Sequence, residues 1–270
     1  PEFAEPIPLA LRLITAPALI ETLALTFQSH LQAILSQDDA EPVHRARVTL
    51  RRLRTAIAAF APMIDEDLAE TMQFRARNLF RVLGEVRDAD VMAMRFAGTD
   101  RAEALAKDAL ASRQKARKKL KKVKAEGFSA WIFKRLNSKT WCHTGKKAKG
   151  LREASVAILA AQALGRAWTH ALSNGADLTV MSPRAQHELR KDLKMLRYLS
   201  EFFVEIWPAA PHDGFLATLR NLQDDLGEVT DLELARALGH ATNEFATAEA
   251  QRAAQNWVAL QDAGPWWVNP

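Results

Sequence analysis

An all-α fold built of two helical bundles is predicted by three features of this 270-residue chain. Apolar residues recur at helical spacing in successive segments, no stretch alternates as a strand does, and one phrase of the sequence occurs twice. The repeated phrase is VHRARVTLRRLRTAIAAF at 43 to 60, which returns as QHELRKDLKMLRYLSEFF at 186 to 203. A second phrase, LFRVLGEVRDAD at 79 to 90, returns as LQDDLGEVTDLE at 222 to 233. Both recur at one offset of 143 residues, so that His44 matches His187 and Gly84 matches Gly227. A shared offset over such a length marks the duplication of one supersecondary unit. Two repeats are therefore expected, one over 4–150 and one over 151–270, each a four-helix-like unit with short accessory helices. The opening Pro1-Glu2-Phe3 reads as a cloning junction, which leaves room for a preceding domain, and it is set aside in predicting the fold.

The elements follow in order. An apolar helical pattern covers 16 to 36. In the next segment Val43, Ala46, Leu50, Leu53, Ile57 and Phe60 fall on one face of a 3.6-residue helix. Patterns at 66 to 86 and 100 to 124 complete the first repeat. The second runs through 151 to 173, the copied helix with Leu189, Leu193, Leu196 and Phe203 on one face, 212 to 227, and 231 to 262. Pro42, Pro62, Gly98, Gly127, the HTGKKAKG stretch at 143 to 150, Gly175, Pro183, Pro208 and Pro211 punctuate the helices. Leu79, Leu83 and Val86 match Leu222, Leu226 and Val229 as core positions. Between them Gly84 and Gly227 are expected to let a neighbouring helix approach closely, at about 1 kcal/mol of helix propensity each. Asp88 and Asp231 are expected to cap the helices that follow or to orient nearby arginines.

Composition limits the function. Hydrophobic residues make up 48% of the chain, enough for substantial cores. The net charge of +5 conceals segregation: from Arg113 to Arg152 fifteen Lys or Arg face one acid, Glu126, giving +14 there and −9 elsewhere. This basic connector suggests a polyanion-attracting patch, with Arg117, Lys118, Lys121 and Lys122 as its candidate contacts; the plainer alternative is a solvated face. A single cysteine, Cys142, excludes a disulfide framework and a cysteine zinc site. No run is long and apolar enough for a bilayer and no signal peptide opens the chain, so a cytoplasmic protein without membrane contact is expected. No Ser-His-Asp, Cys-His or paired-carboxylate arrangement emerges, nor a GxxxxGK loop, and a binding module without cofactor is expected rather than an enzyme.

The repeated cations share a face. With His44 at zero, Arg47, Arg51 and Arg54 lie at about 280° to 340°, beside an apolar arc centred near about 220°. His187, Arg190, Lys194 and Arg197 take the same angles, with Tyr198 alongside. From His44 to Arg54 the stripe is about 15 Å long, a length suited to an extended ligand. Arg45 and Arg52 point elsewhere. Like charges one turn apart repel by a few tenths of a kcal/mol, about 0.2 to 0.5, so the stripe asks for an anion. An internal answer is a salt-bridge network with Asp88, Asp90, Asp231 and Glu201. An external answer is a polyanion, because the planar guanidinium fork matches phosphate oxygens. Arg77 and Arg220, matched on the second phrase, are further candidates. A metal site is not expected, since the arginines after each histidine would repel a dication.

The patterns HxxRxxxRRxR, HxLRxxxKxLRY and LGxVxD after each resemble the CHAD family, the conserved histidine alpha-helical domain, over roughly 16 to 262. The resemblance implies two four-helix bundles related by pseudo-twofold symmetry that bind inorganic polyphosphate in a basic groove lined by the histidine helices. By matching position the ligand residues would be His44, Arg47, Arg51, Arg52 and Arg54, with His187, Arg190, Lys194, Arg197 and Tyr198. Met195 replaces the match of Arg52 and Thr230 that of Arg87, so fewer contacts are expected from the second half. The resemblance further implies polyphosphate granules, their proteins or a CYTH-type triphosphate-processing domain as cellular company. The alternative function is nucleic-acid binding through 113–152, for which base-stacking aromatics would be wanted among the cations; the stripes hold only Tyr198, although Trp131 and Trp141 flank the connector. A third class is a scaffold that holds a partner through Trp266 and Trp267, which otherwise cap a bundle end. If both histidines donate to phosphate, affinity for polyphosphate at fixed salt rises as pH falls from about 8 to about 6, because the protonated imidazole is favoured beside a bound polyanion. A binding titration over that range checks this, and a flat profile would remove the histidines from the site.

Overall fold

The computed structural model describes residues 16–142, 156–207, 209–237 and 243–268. The described residues form an all-α protein, as the periodicity predicts, in two compact units divided at 153/154. The first contains α1 (Ala16–Ser36), α2 (Glu41–Phe60), α3 (Glu66–Arg95), α4 (Ala102–Lys122) and the short α5 (Phe128–Leu136). Each of α1 to α4 packs against the next, and α5 returns to cover α1. The predicted face of α2 is the core: Val43, Ala46, Leu50, Leu53, Ile57 and Phe60 are all buried, as are Leu23, Phe27 and Leu31 of α1 and Met72, Leu79 and Leu83 of α3, the two helices that α2 packs against. Pro42 occupies the first turn of α2, where its missing N–H is not needed. Asp65 caps α3 by accepting from the Leu68 N–H at 3.1 Å. Phe27 meets Phe128 of α5 edge-on at 5.9 Å, and the Ser129 hydroxyl donates to the Ala24 carbonyl at 2.6 Å.

The basic run read as a connector is, from Arg113 to Lys122, the second half of α4 and therefore a wall of the first unit. Its arginines face inward. Arg117 donates to the Ile34 carbonyl at 2.7 Å and to that of Gln37, and pairs with Asp38 at 2.7 Å. Arg113 donates to the Asp38 carbonyl at 2.7 Å and pairs with the buried carboxylate of Asp90 on α3. Unpaired carbonyls at a helix C-terminus attract cations, and these two guanidiniums satisfy the end of α1. After Lys124, which adopts a left-handed φ of 52°, the chain turns into α5. The stretch at 143 to 150 and the opening Pro1-Glu2-Phe3 lie outside the described residues.

The second unit contains α6 (Val156–Ser173), α7 (Pro183–Phe203), α8 (Ala209–Ala237) and α9 (Asn243–Ala263), again packed in succession. Ser182 caps α7 by accepting from the Ala185 N–H at 3.2 Å. Leu189, Leu193, Leu196 and Phe203 are buried as predicted. An aromatic cluster fills one part of the core: Trp168 meets Phe215 and Trp257 at 5.9 Å each and Trp267 at 6.3 Å, all edge to face. Trp267 is buried and Trp266 packs on Trp207 and His212, so both belong to the core side of their unit.

Two expectations change. α3 continues through Gly84 and Asp88 to Arg95, and α8 through Gly227 and Asp231 to Ala237. One glycine weakens a helix by about 1 kcal/mol, too little to end it while the flanking apolar positions stay packed. Asp88 and Asp231 thus lie inside helices and cap nothing that follows. Among the described residues no helix is long and apolar enough to cross a membrane.

The Arg113 and Asp90 pair ties α4 to α3 in a nearly dry setting, with side-chain exposures of 15% and 0%. Burial pushes the Asp90 carboxyl above its usual range, while the Arg113 charge and hydrogen bond pull it back. Arg113→Met should cost about 3 kcal/mol in urea unfolding, because it leaves a buried carboxylate without its counter-charge. The double variant Arg113→Met with Asp90→Leu should lose less than Arg113→Met alone; an equal or larger loss would mean that the Asp38 contact dominates.

Candidate anion-binding site

α2 lies between α1 and α3, and its stripe of His44, Arg47, Arg51 and Arg54 is half-buried along the α3 side. Arg47 is held most firmly. Its Nη1 donates to the Phe80 carbonyl at 3.1 Å, and its guanidinium carbon sits 4.1 Å from the centre of the Phe80 ring. Arg51 lies over the same ring at 5.6 Å. Arg54 donates from Nε to Gln73 Oε1 at 3.3 Å, and the Gln73 amide returns a bond to the Arg54 carbonyl at 2.7 Å. A reciprocal pair of this kind fixes the side chain against its own backbone.

Gly84 explains how Arg47 reaches a mid-helix carbonyl. A Cβ on residue 84 would stand 3.0 Å from Arg47 Nη1, and among the described residues no other atom outside its own stretch of helix lies within 4 Å of that point. The bare backbone therefore receives a guanidinium, which corrects the expectation of a close helix approach. The copy does the same: a Cβ on Gly227 would stand 3.3 Å from Nη2 of Arg190, the residue that matches Arg47. One arginine and one glycine meet in both units.

Electrostatically the first unit gathers positive charge. Burial lowers the pKa of Arg47, the charge of Arg51 lowers it further, Asp88 opposes, and Arg87 adds to the fall. Burial, then Arg77, then Arg51 do the same to Arg54. Arg77, exposed on α3, is thereby placed within reach of the stripe. The internal network weighed above forms only in part. Asp90 is engaged by Arg113 on the α4 side, and Glu201 lies 3.7 Å from Arg197. The side chain of Asp231 lies outside the described residues.

In the second unit His187 and Arg220 are exposed, and Arg190, Lys194 and Arg197 are half-buried on α7. Two residues carried over by position are not at the surface: Arg52 is 8% exposed and Tyr198 is 1% exposed. Both helices are covered on more than one side, so residues flanking the stripe are drawn into packing. The Tyr198 ring underlies the Arg197 guanidinium at 5.3 Å and positions it. In the basic run Lys118, Lys121 and Lys122 are exposed, whereas Arg117 is spent on α1. Lys119 pairs with Glu85 at 2.8 Å. Among the described residues no group of three or more His, Cys, Asp or Glu is placed to hold a metal ion.

Phe80 and Gln73 were not read from the sequence as site residues. Phe80 stands four residues before Gly84, and that spacing was the available signal, because it places the phenylalanine carbonyl at the glycine's turn. Nothing in the sequence marks Gln73.

By class this is an all-α bundle protein carrying two histidine and arginine helices, each with an arginine docked on a glycine of the next helix. The chain belongs to the CHAD domain family, whose profile matches residues 18–240. CHAD domains are a polyphosphate-binding family and are generally non-catalytic. The crystal structure of the CHAD domain from the plant Ricinus communis shares the fold, at 24% identity over 92% of this chain and 86% of that one, with a TM-score of 0.62. PptA from Streptomyces chartreusis aligns at 18% identity over 92% of this chain and 94% of its own, with a TM-score of 0.44. No curated protein matches the chain.

Gly84→Ala separates packing from positioning. The added methyl displaces only the end of a flexible side chain and gains about 1 kcal/mol of helix propensity, so unfolding stability should stay within about 1 kcal/mol of wild type. Polyphosphate affinity should nonetheless fall about fivefold to tenfold, since Arg47 loses its seat. A loss of stability with unchanged affinity in a binding titration would return Gly84 to a packing role.

Proposed function

We propose that this chain binds inorganic polyphosphate without chemically altering it, through the cation stripes of α2 and α7. The observation that carries this is the docked Arg47, a guanidinium held between the Phe80 carbonyl and ring beside Arg51, Arg54 and Arg77. Mutually repelling, partly desolvated cations held in fixed positions suit a ligand that supplies many negative charges without reorganisation of the site. A polymer of phosphates does so along its whole length, and arginine forks match its oxygens in geometry as well as charge. Family membership supports the same ligand. In a cell holding polyphosphate granules, such binding would recruit the chain to them, alongside granule proteins or a triphosphate-processing domain.

Nucleic-acid binding through 113–152 draws less support. Arg113 and Arg117 are committed to the end of α1, and Lys115 and Lys119 lie beside Glu85. Trp131, one of the aromatics within that stretch, carries the Arg75 guanidinium at 4.2 Å on its face.

The deciding test is a competition titration at near-physiological salt. Labelled long-chain polyphosphate should be displaced by unlabelled polyphosphate and not by single- or double-stranded nucleic acid at equal phosphate concentration. Arg47→Ala combined with Arg190→Ala should weaken binding at least about 100-fold with helicity kept, since each charge-assisted contact contributes about 1.5 to 3 kcal/mol. Greater damage from alanines at Lys118, Lys121 and Lys122 would move the site to the basic face of α4.

A further inference from the structure

The two stripes match in position but not in electrostatic setting. Arg51 corresponds to Lys194, Arg81 to Asp224 and Arg87 to Thr230. At positions 47, 51, 54, 58, 77, 81, 87 and 88 the first repeat has six arginines and one acid, Asp88. Their matches supply four cations, 190, 194, 197 and 220, against three acids, Asp224, Asp231 and Glu201. Net charges of +5 and +1 follow. The partners differ in kind as well. Arg54 is fixed by the neutral amide of Gln73, so its charge remains available, whereas Arg197 has a carboxylate of Glu201 at 3.7 Å. The position matching Glu201 in the first unit is Ala58. Beneath Arg47 and Arg51 lies Phe80, while its match, Gln223, turns to the Leu193 carbonyl at 2.8 Å.

We infer that the first unit alone holds the high-affinity site for a short phosphate oligomer, of the tripolyphosphate class, on the α2 and α3 surface around Arg47. The stripe of the second unit, with fewer cations, binds such an oligomer more weakly. The inference rests on the polyphosphate reading above and specifies which part of the surface carries it. From Arg47 to Arg54 the stripe is about 10 Å long, the scale of a few linked phosphates. Burial and the neighbouring arginines lower the pKa of Arg47 and Arg54, a crowding of positive charge that an anion lying there relieves. Among the described residues Arg47, Arg51 and Arg54 form no ion pair that an oligomer would have to displace, whereas the same oligomer on α7 must compete with Glu201 for Arg197.

Calorimetric titration of the full chain with inorganic tripolyphosphate at about 0.15 M salt tests this. One equivalent should bind. Arg51→Gln, which removes the guanidinium lying over the Phe80 ring, should weaken it about tenfold. Arg47→Ala with Arg51→Ala should weaken it about 100-fold or more, and Arg190→Ala with Lys194→Ala less than about threefold. Two equivalent sites, or equal losses from the two double variants, would overturn the inference. Binding of long-chain polyphosphate with no binding of tripolyphosphate would overturn it and leave the polyphosphate reading intact. Binding of neither would remove both. If Arg47→Ala with Arg51→Ala loses helicity, Arg51→Gln decides alone: a change under twofold counts against the site.

Discussion

Crowding of like charge on one side of α2 is the constraint to which the rest of the first unit answers. Arg47, Arg51 and Arg54 recur at one-turn spacings beside a core face that cannot accept them. The neighbouring helix resolves this by offering backbone and ring instead of carboxylates. Phe80 lends a carbonyl and a π face, Gln73 lends an amide, and Gly84 withholds a side chain. Each device orients a cation without cancelling it. Had α3 supplied aspartates at those positions, the helix pair would be better balanced and the stripe would have no use for a ligand.

The basic half of α4 illustrates the opposite solution with the same residue type. Arg113 and Arg117 are drawn inward onto the carbonyl end of α1, and Asp90 and Asp38 neutralise them. A charge count across 113–152 treats these arginines as equal to the lysines beside them. Their carbonyl partners lie some eighty residues earlier in the chain, so only the packed helices tell an inward cation from an outward one. The lysines of the same turns remain outside, as compact and strongly hydrated charges tend to do.

Much of the fold was legible because helical periodicity is local. The six apolar positions of α2 and four of α7 predicted their own burial. The stripe was legible for the same reason, since residues three and four apart share a face. What stayed hidden depends on contacts between helices. Gly84 and Gly227 looked like places for backbone to approach, and their occupant turned out to be an arginine 37 residues away in sequence in each unit. Arg52 and Tyr198 resembled ligands by position, yet packing buries them. The lengths of α3 and α8 were underestimated because a glycine and an aspartate within a few residues look like punctuation, and tertiary packing overrides that local signal.

The return of α5 to α1 sets the order in which the first unit can be assembled. Successive helix pairs from α1 to α4 can form as the chain emerges, since each of these helices packs chiefly on the preceding one. The outer side of α1 is different: its Ala24 carbonyl waits for Ser129, a separation of 105 residues, and Phe27 waits for Phe128. At ribosomal rates of about 5 to 20 residues per second, α1 is made roughly 5 to 20 s before its cover. During that interval the nascent chain displays an apolar helix that the finished protein conceals, which is the kind of surface that chaperones recognise.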